Sequence, residues 1–275
     1  LCTMANHKIV VLDGHTSNPD DFSWNPLEEV GEVVVYPRTA DDLVLERASG
    51  ADILILNKIK MTREKIEALP ALRYIGLLAT GFDNVDFTAA REHDIIVTNI
   101  PSYSTPSVAQ HAFALLLKHT NRVGLHDRSV HEDEWVRSKD FSYFKEPLSE
   151  LADKYFGIMG YGQIGQYTAR IARAFGMNLL VHSNHASSIE DGELVSLEEL
   201  FRRSDVISLH AALTKENAGI VNRKLLSLMK PEALLINTSR GGLINEQDLA
   251  DILNEGKIKG ASLDVLSKEP HGHDN

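Results

Sequence analysis

Two series of short apolar runs, each alternating with amphipathic stretches, constrain the fold of this chain more than any other feature. The runs of the first series are KIVVLD (8–13), EVVVYP (32–37), DILILN (52–57), YIGLLA (74–79) and DIIVTN (94–99). Those of the second are YFGIMG (155–160), NLLVHS (178–183), DVISLH (205–210), ALLINT (233–238) and GASLDVL (260–266). Such runs, separated by helical patterns, are typical of βα units around a parallel sheet. The sequence therefore predicts an α/β fold with two doubly wound parallel sheets.

A segment rich in proline and serine, NIPSYSTPSV (99–108), separates the two series and leads into a long apolar helical pattern. We expect one domain at 1–100 and a second at 101–275, which includes this interdomain helix. The second series has five runs, whereas a full dinucleotide-binding sheet has six strands, so one strand is predicted to be absent. In the first domain, Thr62 and Asp86 precede helical patterns and are candidate N-caps.

Composition excludes several partners. With 275 residues and a net charge of -11, the chain is repelled at long range by nucleic-acid backbones and by anionic membranes. No apolar run approaches the roughly 20 residues that span a bilayer. The single cysteine, Cys2, has no partner for an intrachain disulfide. We therefore expect a cytoplasmic protein that acts on a small molecule.

The stretch GIMGYGQIGQ contains the pattern G-x-G-x-x-G at Gly160, Gly162 and Gly165, directly after a predicted strand and before a helix. This context is the one that the dinucleotide-binding fingerprint requires. The first glycine permits a tight turn, the second lets a pyrophosphate approach, and the third lets the helix pack on the strand. Gln163 and Ile164 open the helix, whose N-terminus supplies N–H groups for phosphates.

The next strand ends without the acidic residue that usually binds the 2'-hydroxyl of NAD. Ser183 and Asn184 occupy this position, and the flanking His182 and His185 are the nearest groups able to carry positive charge. NAD is slightly favoured and NADP is possible. The sequence predicts comparable affinities for NADH and NADPH.

Several motifs together resemble the D-isomer-specific 2-hydroxyacid dehydrogenases across almost the whole chain. They are LATGFDNVD, GYGQIG, SLHAALTKENAGIVN, LMKPEALLINTSRGGL and GASLDVLSKEP. VVLDGHTSNPDDFSW, SYSTPSVAQHAFALLL and VGLHDRSVHEDEW resemble the glycerate dehydrogenase, or hydroxypyruvate reductase, branch. The resemblance implies a flavodoxin-like substrate domain and a Rossmann NAD(P)-binding domain. It also implies reduction of a small 2-oxo acid by hydride transfer from NAD(P)H, with hydroxypyruvate or glyoxylate as the substrate.

The resemblance also assigns roles to particular residues. Arg240 matches the arginine that clamps the substrate carboxylate, and Glu269 matches the glutamate that tunes a catalytic histidine. Asp264 matches the residue that contacts the nicotinamide carboxamide or its ribose. The substrate carboxylate is expected to meet the backbone N–H groups of Ala79, Thr80 and Gly81, with Thr80 also near the cofactor. The remaining expected cofactor contacts are His210, Ala211 and Ala212 on the adenosine side, and Thr238 and Ser239 beside the nicotinamide.

The family's proton donor is a histidine on a T-P-H segment, and this histidine is expected beyond Asn275. Activity of a chain without it is expected to be lower by roughly 10²- to 10⁴-fold. His271 and His273 follow Glu269 but lie in a loop led by proline, which makes them poor substitutes. The other candidate histidines, at 111, 119, 126 and 131, are expected to be packed or solvent-facing. No metal site is expected.

Other functions remain open. One is a different dehydrogenase of the same family, of the phosphoglycerate, lactate or formate type. A phosphorylated substrate would require basic residues near LATGFDN, where Lys58, Lys60 and Arg73 are the nearest in sequence. The other is a corepressor-like protein that senses the cofactor and binds a partner. The resemblance further implies a homodimer, formed largely by the segment 101–150.

Overall fold

The structure is a computed structural model, and it describes residues 7–19 and 21–269. The chain divides into two compact units between Tyr103 and Ser104. This division falls in the same proline- and serine-rich segment as the predicted boundary between residues 100 and 101. The assignment of substrate binding to the first domain remains a prediction.

The first unit contains a five-stranded parallel sheet. Its strands are β1 His7–Val11, β2 Gly31–Val35, β3 Ile53–Leu56, β4 Tyr74–Leu77 and β5 Ile96–Thr98. Their order across the sheet is β2-β1-β3-β4-β5, and every pair is parallel. This is the flavodoxin-like order, so the predicted fold of this unit is confirmed.

Four short helices connect these strands: α1 Asn25–Glu28, α2 Val44–Ala48, α3 Arg63–Glu67 and α4 Phe87–Glu92. Asp86 caps α4, because its side chain accepts a hydrogen bond of 2.9 Å from the backbone N–H of Ala89. Thr62 holds the expected N-cap position of α3, but its side chain makes no capping hydrogen bond. A hydrogen bond from its hydroxyl lowers the pKa of the Glu64 carboxylate.

The second unit contains a six-stranded parallel sheet. Its strands are β6 Tyr155–Met159, β7 Asn178–His182, β8 Glu193–Leu194, β9 Val206–Leu209, β10 Leu234–Asn237 and β11 Gly260–Leu263. The order is β11-β10-β9-β6-β7-β8. Counted within the unit, this is the order 3-2-1-4-5-6 of a dinucleotide-binding fold, read from the other edge. The prediction of five strands is therefore wrong, since β8 is a two-residue edge strand with both residues exposed and no apolar run to reveal it.

The described part of this unit contains six α-helices: α5 Thr105–Asn121, α6 Val123–His131, α7 Gln163–Ala174, α8 Leu197–Arg203, α9 Arg223–Leu226 and α10 Glu246–Asn254. The predicted long apolar helix is α5, which packs against α7 and β10. Phe113 of α5 stacks between Phe156 and Phe175, with ring centroids 5.5 and 5.3 Å away. The strand order reverses between β6 and β9, and ligands of open α/β sheets bind outside the carboxyl ends of the strands at such a point.

No helix in the described part of the chain combines the length and apolarity needed to cross a bilayer.

Candidate active site

The loop from β6 to α7 lies at the point where the strand order reverses, and Gly160 makes its tight turn. The φ angle of Gly160 is 96°, which favours glycine. A Cβ atom on Gly160 would lie 2.6 Å from the backbone nitrogen of Ala211, just past β9. A Cβ atom on Gly165 would lie 2.2 Å from the carbonyl oxygen of Gly160. The tight turn and the close approach of helix to strand that the fingerprint predicts are therefore present.

Gly162 differs from the other two glycines because it faces open space. It is the N-cap of α7 with an ordinary φ of -75°. A Cβ atom on it would meet no heavy atom within 4 Å. Gln163 and Ile164 follow as the first helical residues, whose N–H groups have no partner within the helix. This cradle, at the positive end of the helix dipole, fits the pyrophosphate of a dinucleotide.

Ser183 and Asn184, which follow β7, carry no ionisable group, as the sequence indicated. The Ser183 hydroxyl accepts hydrogen bonds from the backbone N–H groups of His185 and Ala186, at 3.3 and 3.2 Å, and so shapes the loop. Asn184 and His185 are exposed. The ring Nδ1 of His182 lies 3.1 Å from the carbonyl oxygen of Val195. His182 is thus engaged with the protein, and Ser183, Asn184 and His185 remain the candidate contacts for the adenosine ribose.

The end of β9 holds a histidine that is neutral at physiological pH. Burial lowers the pKa of His210 to about 4, and its Nε2 lies 2.9 Å from the Ser208 hydroxyl. Its backbone N–H donates to Met159 of β6 across the sheet. The carbonyl oxygens of Ala211 and Ala212 accept hydrogen bonds from Ser239 and Asn217, at 2.6 and 2.7 Å. The predicted adenosine-side residues therefore lie beside the glycine loop in a tightly bonded segment.

The end of β10 is organised by Asn237, a fully buried residue that the motif analysis did not single out. Its side-chain oxygen accepts from the backbone N–H of Ser239 at 3.0 Å, and its side-chain nitrogen donates to the carbonyl oxygen of Arg240 at 3.0 Å. The half-buried Arg240 guanidinium donates to the carbonyl oxygen of Ser239 at 2.9 Å. The Thr238 hydroxyl is buried and makes no hydrogen bond to the described residues. A polar residue at the end of an apolar run was the available signal for Asn237.

The loop after β11 packs directly on the residue that follows Arg240. A Cβ atom on Gly241 would lie 1.9 Å from the carbonyl carbon of Leu266, so these two backbones touch. One carboxylate oxygen of Glu269 accepts from the backbone N–H of Leu266 at 2.7 Å. Glu246 of α10 accepts from the backbone N–H and the hydroxyl of Ser267, at 2.6 and 2.9 Å. The structure thus brings the segments of Arg240 and Glu269 together at one edge of the sheet.

Asp264 occupies the first position after β11, and its backbone N–H donates to the carbonyl oxygen of Asn237 at 2.9 Å. One of its carboxylate oxygens lies 3.2 Å from Nε2 of His111 on α5. Farther along the same helix, Nε2 of His119 lies 2.9 Å from the hydroxyl of Ser262 in β11. His111 is exposed, in agreement with the expectation of a packed or solvent-facing imidazole, and it also pairs with a predicted cofactor contact.

The remaining histidines have structural partners or lie elsewhere. Nδ1 of His126 lies 3.0 Å from the carbonyl oxygen of Arg122, and Nδ1 of His131 lies 2.9 Å from that of Asp127. His271 and His273 lie outside the described residues. Within 7–19 and 21–269, no group of three or more histidine, cysteine or acidic residues is arranged to hold a metal ion.

The predicted carboxylate-binding loop belongs to the first unit and follows β4. The Thr80 hydroxyl donates to the carbonyl oxygen of Ile100 at 3.1 Å, and the Asn99 side chain donates to the carbonyl oxygen of Thr80 at 2.8 Å. The carbonyl oxygen of Ala79 accepts from Ile100 at 3.0 Å. Ala79, Thr80 and Gly81 are all half-buried. The loop is therefore held by its neighbours while it remains partly open to solvent.

Comparison with known proteins gives a consistent result. Residues 113–275 match the model of the D-isomer specific 2-hydroxyacid dehydrogenase NAD binding domain. The chain is 47% identical over 274 residues to a hydroxypyruvate reductase of Blautia hydrogenotrophica, covering 98% of this chain and 85% of the relative. It is 38% identical over 264 residues to a glycerate dehydrogenase of Methylorubrum extorquens, covering 96% of this chain and 82% of the relative.

Solved structures have the same fold. An acyclic imino acid reductase, Bsp5, in complex with NADPH and D-Arg superposes with a TM-score of 0.85 at 35% identity, covering 98% of this chain and 85% of the other. A glyoxylate reductase from Paecilomyes thermophila superposes with a TM-score of 0.82 at 27% identity, covering 98% and 84%.

Proposed function

The chain belongs to the D-isomer-specific 2-hydroxyacid dehydrogenase family, and on that premise we propose that it reduces hydroxypyruvate or glyoxylate to the D-2-hydroxy acid. The observation that carries the proposal is the meeting of two loops at Gly241, which joins the segments of Arg240 and Glu269. These loops lie at the carboxyl ends of β10 and β11, in a sheet that has the strand order of a dinucleotide-binding domain.

Arg240 is proposed to bind the substrate carboxylate. Its planar guanidinium group matches the two oxygens of a carboxylate, and this match fixes the orientation of the adjoining carbonyl group. Asn237 holds the backbone on both sides of the arginine through Ser239 and the Arg240 carbonyl. The side chain is therefore presented from a rigid loop, which reduces the entropy lost when the substrate binds.

The backbone N–H groups of Ala79, Thr80 and Gly81 are proposed as further donors to the substrate carboxylate. The bonds of Thr80 and Asn99 fix the direction of this loop. NAD(P)H supplies the hydride when it is bound, and the carbonyl oxygen of the substrate must then gain a proton. Glu269 is proposed to hold the imidazolium that gives this proton, since a nearby carboxylate raises the pKa of a histidine.

The cofactor preference is proposed to be weak. Neither Ser183 nor Asn184 has a negative charge that would repel a 2'-phosphate, and neither has a positive charge that would attract one. We expect NADH and NADPH to bind with affinities within a hundredfold of each other. Fluorescence titration of both cofactors measures this ratio, and a larger preference in either direction would contradict the proposal.

A phosphorylated substrate would need basic side chains near the carboxylate-binding loop. Of the three basic residues near the carboxylate-binding loop in sequence, Arg73 directly precedes β4, whereas the loop follows β4. Arg73 therefore lies at the opposite edge of the sheet. Lys58 and Lys60 follow β3 and remain at the same edge as the loop. The two lysines therefore leave 3-phosphoglycerate as a second candidate substrate, and the substrate panel below separates it from a small unphosphorylated acid.

A homodimer is proposed through residues 101–150, which comprise the interdomain helix and the segment that follows it. Large apolar side chains close together in this part of the sequence are exposed, with Val136 82%, Phe141 91% and Phe144 75% accessible. Exposed apolar surface of this kind is typical of protein interfaces. Sedimentation of the full chain at micromolar concentration should show a dimer. The double variant Phe141→Ser, Phe144→Ser should sediment as a monomer. A monomeric parent chain would refute the proposal.

The proposed reaction is tested with a panel of 2-oxo acids and three arginine variants. Hydroxypyruvate and glyoxylate should give the highest kcat/KM. Arg240→Gln should lower kcat/KM by about 10²- to 10³-fold, since it removes a charged bidentate contact. Arg240→Lys should recover only part of this loss because an ammonium group lacks the planar fork.

Arg202→Gln on α8 is the matched control, because it removes an exposed arginine far from these loops in sequence. It should leave kcat/KM unchanged. Equal activity of Arg240→Gln and the parent chain, or a higher kcat/KM for a phosphorylated acid than for hydroxypyruvate, would contradict the proposed function.

A further inference from the structure

Helix α5 is attached to β11 by two imidazole groups. Nε2 of His119 lies 2.9 Å from the hydroxyl of Ser262, and Nε2 of His111 lies 3.2 Å from a carboxylate oxygen of Asp264. Ser262 and Asp264 are two residues apart, so their side chains project from the same face. The first contact is within the strand, whereas the second is at the strand end, where the predicted cofactor contact is located.

The two contacts differ in their surroundings. His119 is partly buried, and burial, together with the charges of Arg122 and Lys118, lowers the pKa of its imidazole. The side chains of His111 and Asp264 are 48% and 50% exposed. A pair as exposed as this contributes little to the stability of a fold. Its main physical effect is to restrict the rotation of the Asp264 side chain.

The Asp264 carboxylate is thus held in a defined direction. The backbone N–H of Asp264 bonds to the Asn237 carbonyl oxygen, and Oδ1 faces His111. No residue in the described ranges makes a hydrogen bond with Oδ2. A carboxylate oxygen fixed in this way is a suitable acceptor for an amide N–H donor, because the entropy of ordering it has already been lost.

We propose that His111 is a positioning residue, which orients the Asp264 carboxylate toward the carboxamide N–H of a bound nicotinamide. This inference rests on the proposed function, in which Asp264 contacts the nicotinamide. His111 does not touch the substrate in this proposal and transfers no proton. It acts on cofactor binding through Asp264.

The test is a double-mutant cycle on NADH binding to the full chain, measured by fluorescence titration. His111→Leu should weaken NADH binding by about 3- to 10-fold, the effect of releasing one ordered side chain. His111→Gln places an amide nitrogen near the position of Nε2 and should restore most of the affinity. In an Asp264→Asn background, His111→Leu should have no further effect, because neighbours that act through one another are not additive.

His119→Leu is the matched control. It also removes an imidazole contact from α5 to β11, but at Ser262 within the strand. It should lower the midpoint of chemical denaturation while leaving the NADH affinity within twofold of the parent value. An equal loss of NADH affinity in His119→Leu would show a general displacement of β11 and would overturn the proposal. So would an unchanged affinity in His111→Leu, or additive losses in the double variant.

These outcomes are distinct from failure of the proposed function. NADH affinity is measured without a 2-oxo acid, so an absence of turnover with hydroxypyruvate and glyoxylate contradicts the proposed reaction and leaves the coupling measurement intact. A loss of coupling with normal turnover contradicts the role of His111 while the proposed reaction stands.

Discussion

Replacing Gly162 by alanine separates the two roles that glycines play in the loop before α7. The added methyl group would meet no protein atom within 4 Å, and the φ of -75° suits alanine. Alanine is a poorer N-cap than glycine, at a cost of roughly 0.5–1 kcal/mol. It also restricts the unfolded chain, which stabilises the protein by about 0.4–1 kcal/mol. The two effects nearly cancel, so the free energy of unfolding should change by less than about 1 kcal/mol.

Cofactor binding should respond very differently to Gly162→Ala. The methyl group would fill the space through which a pyrophosphate reaches the first N–H groups of α7. Loss of two hydrogen bonds to a charged group costs about 3 kcal/mol or more, which corresponds to at least about a 100-fold weaker NADH affinity. Gly165→Ala is the contrasting variant, because its methyl group would lie 2.2 Å from the Gly160 carbonyl oxygen.

The assay combines urea denaturation with NADH titration for both variants. Gly162→Ala should unfold like the parent chain and fail to bind NADH, whereas Gly165→Ala should lose about 1–3 kcal/mol or more of stability through overpacking. A Gly162→Ala variant that binds NADH within threefold of the parent value would refute the placement of the pyrophosphate. Strong destabilisation of this variant would refute the description of the loop.

Three further predictions concern the ends of β9 and β10. Asn237→Asp removes the donor to the Arg240 carbonyl from a fully buried site and should lower the free energy of unfolding, measured in urea, by about 2–4 kcal/mol. Gly241→Ala should push the loop at Leu266 away and lower kcat/KM at least tenfold, as seen in steady-state assays, since its methyl group would lie 1.9 Å from a backbone carbon. Burial lowers the pKa of His210 from 6.5 to about 4, so the unfolded chain binds a proton more readily and stability falls as the pH falls from 6.5 toward 4. The loss between pH 7 and 4.5 should reach at most about 3 kcal/mol, given the partial exposure of the residue, and His210→Gln should remove it in denaturation measured at both pH values.

The fold was largely predictable because both sheets are parallel and buried. Strands that are covered on both faces consist of nearly continuous apolar residues. Examples are β9 and β10, where every residue is buried. Strand β8 shows the limit of this signal. Glu193 and Leu194 pair with only the end of β7 and are exposed, so the sequence contains no apolar run there. Strand β8 forms because β7 has unpaired backbone groups at the edge of the sheet, and this edge exists only once the sheet has assembled.

The candidate site was predictable at motif positions where the backbone geometry permits only one residue type. Gly160 and Gly165 are in this class, because a tight turn and a close approach of helix to strand each require glycine. For His111, the contact with Asp264 was not predictable from its surroundings in sequence, since the apolar helix around it favours a packed imidazole. Its partner, Asp264, is distant along the chain and becomes adjacent only when α5 packs beside β11. Contacts of this kind are set by the crossing of a helix over a sheet, which local sequence does not specify.

Asn237 explains why the ends of β10 and β11 should behave as one unit. Its side chain holds the backbone at Ser239 and Arg240, while its carbonyl oxygen holds the backbone N–H of Asp264. The contact of Gly241 with Leu266 joins the same two loops a second time. A shift of either loop is therefore transmitted to the proposed substrate clamp and to the proposed nicotinamide contact together. Substitutions at Asn237 and Gly241 should consequently weaken both NADH binding and carboxylate binding, whereas Arg240→Gln should weaken carboxylate binding and leave NADH affinity close to the parent value.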